Sequence, residues 1–348
     1  MQLVLEEKTE SECFFLVDGS YTKKIWQGIS EKNILEKKSL PGRLGWKIWY
    51  DWQVPAIVKK YKPNVLITTG GIASSCSAMP QCVWMPDKLN KNDAVKNKKY
   101  FRFYQKRLQK TLHEAKIFFT VSEKNKKSLL QQFSLANKKV IILYSAANEN
   151  YHPLSWTERE NVKVRYAGGK EYFVMTQSCD KQNDLLNLLK AFSQFKKRQQ
   201  SNMQLVLTGI DTVTTGGFAE KLETFKYRKD IHFYNNLQKD ELIKIIAASY
   251  AFVHPFDEGP RTAILNAFKT GIPVITTAES SMPEITGDAV LYADLADPEL
   301  FANQLMLLYK DESLRNILIE KGKIQVQQFS WQKSVMQLWD GIMSAIKN

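Results

Sequence analysis

The sequence predicts an α/β protein of two doubly wound domains, each a parallel sheet covered by helices on both faces. Three observations predict it. Short apolar runs alternate with stretches whose apolar residues recur at helical spacing, along the whole chain. The alternation stops in a polar stretch at 148–170, which contains Pro153, Gly168 and Gly169 and reads as a linker, and then restarts. The length of 348 residues suits two domains of roughly 100–200 residues each.

The elements follow in order. In the first half, short apolar runs predict strands at 13–17, 64–68, 82–85, 117–121 and 140–143. Helical periodicity predicts helices at 44–60, 96–115 and 123–133. Trp46, Trp49 and Trp52 recur at three-residue spacing in the first of these and are expected in the core. In the second half, strands are expected at 172–175, 204–207, 231–234, 251–254, 273–276 and 290–292. Helices are expected between them at 184–197, 240–248, 262–270 and 298–310. Repeated strand–helix–strand units imply parallel pairing. Such sheets bind ligands beyond the carboxyl ends of their strands, so the cleft between the two domains is the expected site.

Composition narrows the function classes. Hydrophobic residues at 44% and charged residues at 24% exclude collagen-like, disulfide-scaffold and wholly disordered chains. The net charge of +13 is confined to one half: residues 1–155 hold 26 Lys+Arg against 13 Asp+Glu, and residues 156–348 hold 23 of each. Either the first domain meets something anionic, or the excess is a solubilising surface. Cys13, Cys76, Cys82 and Cys179 show no C-x-x-C spacing, so no zinc site is expected and reduced cytoplasmic thiols are. Residues 1–8 lack a basic leader and apolar run, so no secretory signal is expected. The uncharged stretch 63–86 contains Gly70, Gly71 and three prolines, which reads as strand, turn and strand rather than a membrane span. His113, His152, His232 and His254 lack ligand spacing. The stretch 91–110 interleaves Lys and Arg with Tyr100, Phe101, Phe103 and Tyr104. It is open to nucleic acid, to a membrane interface, or to a solvated helix with one packed aromatic face.

The segment 249–275 carries the most chemistry. A strand ends at His254-Pro255, then Phe256-Asp257-Glu258-Gly259-Pro260-Arg261-Thr262 leads into a helix that stops at Gly271. A helix N-terminus offers unpaired amides and partial positive charge to a phosphate. Glu258 can accept hydrogen bonds from sugar hydroxyls. Asn266, about two turns later, is expected to face the same cleft.

This segment resembles the signature of retaining nucleotide-sugar glycosyltransferases of the GT-B fold, family 4 (group 1), with its E-G-F-G-x-P-x-x-E-A and C-G-x-P-V-I pattern. Ser281-Met282-Pro283-Glu284-Ile285-Thr286-Gly287-Asp288-Ala289 and Phe329-Ser330-Trp331 extend the resemblance, which covers about residues 12–345. It implies a first, acceptor-side domain at 1–155, a nucleotide-sugar-binding domain at 165–328 and a final helix at 329–348 crossing back to the first. It implies transfer of a hexose from a nucleoside-diphosphate sugar to a glycan or lipid-linked acceptor, with retention and without metal or other cofactor. It implies Glu258 and Asp87 as catalytic residues. The amides of Gly259, Arg261 and Thr262 would hold the diphosphate, with Asn266, Lys181 and Gln182 completing the donor site. The basic first domain then suggests peripheral contact with an anionic membrane from the cytoplasm, and no nucleic acid.

The pattern also departs from the family. Asn266 replaces a Glu that accepts from both ribose hydroxyls; it binds ribose less well, or is a helix-surface residue. Arg261 replaces a Gly; it obstructs the phosphate, supplies charge to it, or points to solvent. Gln182 and Asn183 stand where an Arg-Lys pair is usual, leaving Lys181 as a substitute. Pro86 replaces a His, and the chain opens at what resembles the end of the family's first helix, so one βα unit is expected to be absent. These losses allow an alternative: an impaired GT-B protein serving as a binding or partner subunit.

Overall fold

The computed structural model describes residues 12–18, 33–40, 42–75, 79–85, 98–132, 138–176, 182–210, 222–255, 261–279 and 281–347. They divide into two compact units, Met1–Tyr144 with Trp331–Asn348, and Ser145–Ser330.

In the first unit, β1 (Phe15–Asp18) and β2 (Ile34–Lys37) pair in parallel as a separate ladder. The main sheet is parallel, in the order β3 (Leu66–Thr68), β4 (Gln81–Trp84), β5 (Ile117–Thr120), β6 (Lys139–Ile142). Successive strand residues point to opposite faces. Val83 and Phe118 pack with Leu108, Leu112 and Leu129 from the helices Lys98–Glu114 and Glu123–Gln132. Cys82, Ile117 and Phe119 pack on the other side with Val335, Leu338, Ile342 and Ala345 of the last helix, Trp331–Lys347. Gly341 permits that contact: a Cβ there would stand 2.8 Å from Ile141 Cδ1 and 2.9 Å from Phe119 Cε1.

The second unit holds one parallel sheet of six strands, in the order β12 (Val290–Tyr292), β11 (Val274–Thr276), β10 (Ala251–His254), β7 (Tyr172–Thr176), β8 (Gln204–Thr208), β9 (Ile231–Tyr234). Helices on both faces bury the central strands, so Tyr172, Phe173, Val174 and Met175 are a continuous buried run. Leu188, Phe192 and Phe195 of the helix Gln182–Gln199 meet Phe301, Leu305 and Leu308 of the helix Pro298–Lys310 in this core.

Three expectations are corrected. The stretch read as a linker folds as the helix Trp156–Ala167. Its N-terminus is a capping box in which Glu158 N–H donates to Ser155 Oγ (3.4 Å) and Ser155 N–H to Glu158 Oε2 (3.0 Å). The Ser-x-x-Glu spacing was legible but was outweighed by the polar composition around it. The expected helix 44–60 is interrupted: Gly42–Ile48 and Val54–Tyr61 are joined by a π-helical turn, Trp49–Gln53. The tryptophans are not core: Trp52 is 72% exposed, and Trp46 and Trp49 are only partly buried. The wider π turn falls behind α spacing and carries Trp52 off the packed face. Among the described residues, no helix is long and apolar enough to cross a membrane.

Candidate functional site

The strand order of the second unit fixes where a ligand belongs. From β7 the chain moves outward to β8 and β9, then returns to the other side of β7 for β10, β11 and β12. The connections from β7 and β10 therefore leave in opposite directions, opening a crevice at their carboxyl ends. β7 ends at Thr176 and leads to the helix beginning at Gln182; β10 ends at His254 and leads to the helix Thr262–Lys269. Both helix N-termini come from this crevice. Their first-turn amides have no acceptor within the helix.

Arg261 precedes the second of these helices and is 8% exposed. Its Nε donates to Ser281 Oγ at 2.6 Å. Ser281 follows β11, the neighbouring strand, and is also buried. The expectation of a solvent-pointing arginine is thereby excluded: burial requires that a guanidinium be hydrogen-bonded. Thr262, the first helical residue, is partly exposed. Thr276 Oγ1 donates to the His254 carbonyl (2.7 Å), joining the ends of β10 and β11.

Asn266 is not a helix-surface residue. It is 9% exposed, and its Oδ1 accepts from Asn148 N–H at 2.8 Å. The same side chain bonds the hydroxyl of Tyr151, whose pKa burial raises and this bond opposes. The helix starts at Thr262, so helical periodicity relates Asn266 to Thr262 and not to residue 258. Asn266 fastens the 148–151 segment to the helix.

Glu258, Gly259, Lys181 and Asp87 lie outside the described residues, as do Pro86 and the side chains of Gln182 and Asn183; Gln182 itself opens its helix. His254, set aside for want of ligand spacing, closes β10 at the crevice. Burial pushes its imidazole pKa down to about 4, so it is neutral at pH 7. Among the described residues, no group of His, Cys, Asp and Glu could hold a metal ion. Sequence reasoning named neither Asn148 nor Tyr151 as a site residue, although both lie in residues 147–153, which resemble the family's linker. Ser281 stood within a quoted motif, and the adjacency of β10 and β11 would have placed it.

The carboxyl edge of the first unit's sheet is built differently. After β3 the chain turns at Gly70 and Gly71, and Gly71 N–H donates to the Trp84 carbonyl at 3.1 Å. A Cβ on Gly70 would lie 2.9 Å from the Tyr50 hydroxyl, so the phenol needs a glycine there. Arg107 ties this loop down. It pairs with Asp51, donates to Ser75 Oγ (3.0 Å) and to the Ala73 carbonyl (3.3 Å). Ser75 Oγ also donates to Asp51 Oδ1 at 2.6 Å. Although burial opposes it, hydrogen bonds from Ser75 and Arg107 and the arginine's charge hold the Asp51 carboxyl below its ordinary pKa.

Residues 157–325 match the glycosyl transferases group 1 family. The O-antigen chain mannosyltransferase B of Escherichia coli is 26% identical over 238 residues, 68% of this chain and 62% of that protein. The chain therefore spans under two thirds of that relative. A glycosyltransferase from Rickettsia africae superposes with a TM-score of 0.75 at 15% identity, covering 99% of this chain and 93% of that one. Anabaena HepE, solved with UDP and glucose, superposes with a TM-score of 0.73 at 12% identity, covering 99% and 95%. Likeness at such identities shows the fold, which is that of GT-B glycosyltransferases.

Proposed function

We propose that this chain, whose residues 157–325 are a glycosyl transferases group 1 domain, transfers a hexose from a nucleoside-diphosphate sugar to a glycan or lipid-linked acceptor, with retention of configuration. The observation that carries the reading is a coincidence: the motif that resembles the donor signature falls on the carboxyl end of β10, where the fold itself opens a crevice. Similarity to an O-antigen chain mannosyltransferase supports a role in polysaccharide synthesis, with mannose among the hexoses to test.

In this reading the departing diphosphate lies over the helix that begins at Thr262. The amides of Gly259, Arg261 and Thr262 and the Arg261 guanidinium stabilise its charge, and no metal or other cofactor is assigned to it. Preorganised donors suit a developing anion because they need no reorganisation when the bond breaks. Holding Arg261 on the Ser281 hydroxyl keeps the cation buried at that helix end. Glu258 orients the sugar, Asp87 acts from the acceptor-side unit, and Lys181 and Gln182 stand at the other helix entering the crevice. Asn266 acts through the 148–151 segment that it holds. The work takes place in the cytoplasm.

Calorimetry of UDP and GDP, followed by transfer assays with their hexose conjugates, tests this. The expected result is binding of one nucleotide, weakened about tenfold or more in Arg261→Ala, since charge-assisted hydrogen bonds are the strong ones. A folded protein that binds neither nucleotide sinks the reading. Binding without transfer favours the partner-subunit alternative.

A further inference from the structure

We propose that a groove on the second unit, away from the crevice, binds an uncharged glycan chain. Naming that chain as the growing product rests on the transfer reading; the binding itself does not. The groove lies between the helix Gln182–Gln199, the turn at 224–226 that leads into β9, and the start of the helix Pro298–Lys310. Its volume is about 480 Å³, within the range of roughly 300–1,000 Å³ usual for small-molecule sites, and it is open along one side. Lys190 and Gln194 line it. At about 1.5 Å per residue they stand roughly 12–18 Å along their helix from the end that enters the crevice. Groove and crevice are therefore separate places on one unit.

The lining carries both signs of charge, and both are available to a ligand. Among the described residues neither Lys190 nor Lys226 has a carboxylate partner; Lys226 Nζ lies 5.6 Å from the centre of the Tyr227 ring. Asp297 Oδ1 accepts from the Glu299 and Leu300 amides at 3.0 Å each, and Glu299 Oε1 accepts from Arg198 at 2.8 Å. The second oxygen of each carboxylate keeps its acceptor capacity. A phosphate would meet these two carboxylates, and the helix amides that attract one are already taken by Asp297. An ammonium would meet the two lysines. An uncharged ligand that both donates and accepts is opposed by neither. A sugar suits the whole set: its hydroxyls pair with lysines and carboxylates, and its C–H face lies against Phe225 and Pro298.

Beneath the lining two polar atoms have no hydrogen-bond partner among the described residues, Ser193 Oγ and Gln194 Oε1. Buried polar atoms are normally paired, because a hydrogen bond left unmade there is costly. A sugar hydroxyl answers both, since it donates or accepts as each requires. The terminal torsion of a glutamine is soft, so the amide can turn outward to meet it. A second hold on the glycan keeps a chain on the protein between additions, raising the effective concentration of its end.

The test is calorimetry of the full-length protein with mannotetraose, maltotetraose and inorganic phosphate. Expected is binding of at least one tetraose and not of phosphate, with saturating UDP or GDP displacing nothing. Gln194→Ala and Lys190→Ala should each weaken that binding, and together by about tenfold or more, because hydrogen bonds to a charged group are among the stronger ones. Neither change removes a partner in the fold, so urea unfolding should stay as in the wild type. Failure of the wild type to bind either tetraose, displacement of the bound tetraose by nucleotide, or a double variant that binds like the wild type overturns the proposal. So does phosphate binding that Lys190→Ala abolishes. Nucleotide calorimetry on the same samples separates the two readings: tetraose binding at this groove without nucleotide binding removes the transfer reading and leaves the glycan site.

Discussion

Two aromatic segments with the same spacing end in opposite surroundings. Phe192 and Phe195 in the second unit are both fully buried, their rings stacked at 6.2 Å. Trp49 and Trp52 in the first unit share the three-residue spacing, yet Trp52 is 72% exposed. The difference lies in the backbone. Helix Gln182–Gln199 is α-helical throughout, so both phenylalanines keep to one stripe facing the sheet and the helix Pro298–Lys310. The π turn holds Asp51 and Tyr50 on the Arg107–Ser75 network, and Trp52 falls off the stripe. Spacing therefore reports a core face only while the helix keeps its α period. Polar bonding can change that period.

The comparison can be broken at several points. The largest loss is expected at the buried end. Phe195→Ala should cost about 3–5 kcal/mol in urea unfolding, as truncation of a buried phenylalanine does elsewhere; a loss under 1 kcal/mol would contradict its place in the core. Next is Asp51→Ala, which leaves Arg107 half-buried without its carboxylate and should cost about 2–4 kcal/mol. If the loss is near zero, the network does not hold the turn.

The two units should also differ in acid. The Asp51 carboxyl is depressed in the fold, so its contribution is complete above the unfolded value of about 4 and is lost as pH falls below that. His254 is buried and neutral. The unfolded imidazole gains a proton below about 6.5, so its effect erodes stability from there downward, until the folded imidazole titrates at about 4. Measured by circular dichroism between pH 7 and 3, His254→Gln should flatten the first part of the decline and Asp51→Asn the last.

Smaller still is Asn266→Ala. It leaves the Asn148 N–H without its acceptor and should cost about 1–3 kcal/mol, readable as faster amide exchange at 148–151. The smallest effect belongs to Trp52→Ser. Being exposed, it should shift stability by no more than about 0.5 kcal/mol. A loss of several kcal/mol would show that the indole packs after all.

Much of this was legible. Strands 231–234, 251–254 and 290–292 fall where their short apolar runs put them, the fully buried 251–254 and the two edge strands alike. The donor-type motif pointed to the β10–helix connection, and the topology places that connection at the crevice. What failed did so for physical reasons. The helix Trp156–Ala167 hid because its surface is mostly polar and its start is marked only by a capping box. β2 and the helix Glu312–Val326 went unnoticed because short or weakly periodic elements are selected by what they pack against. Asn148, which donates to Asn266, lies 118 residues away in sequence, and only the folded chain shows that the two meet.

The sequence by itself determined the alternation of strands and helices, the parallel class, the charge gathered in the first 155 residues and the motif that resembles a donor signature. All of these are local patterns of side-chain type, and local patterns are written in residue order. Only the tertiary structure decided that Arg261 is held by Ser281, that Asn266 fastens a distant segment, that Arg107 and Asp51 lock a loop and that Trp52 faces water. Each depends on which groups meet after the chain has turned back on itself, and the pairing of buried polar groups is settled by that meeting.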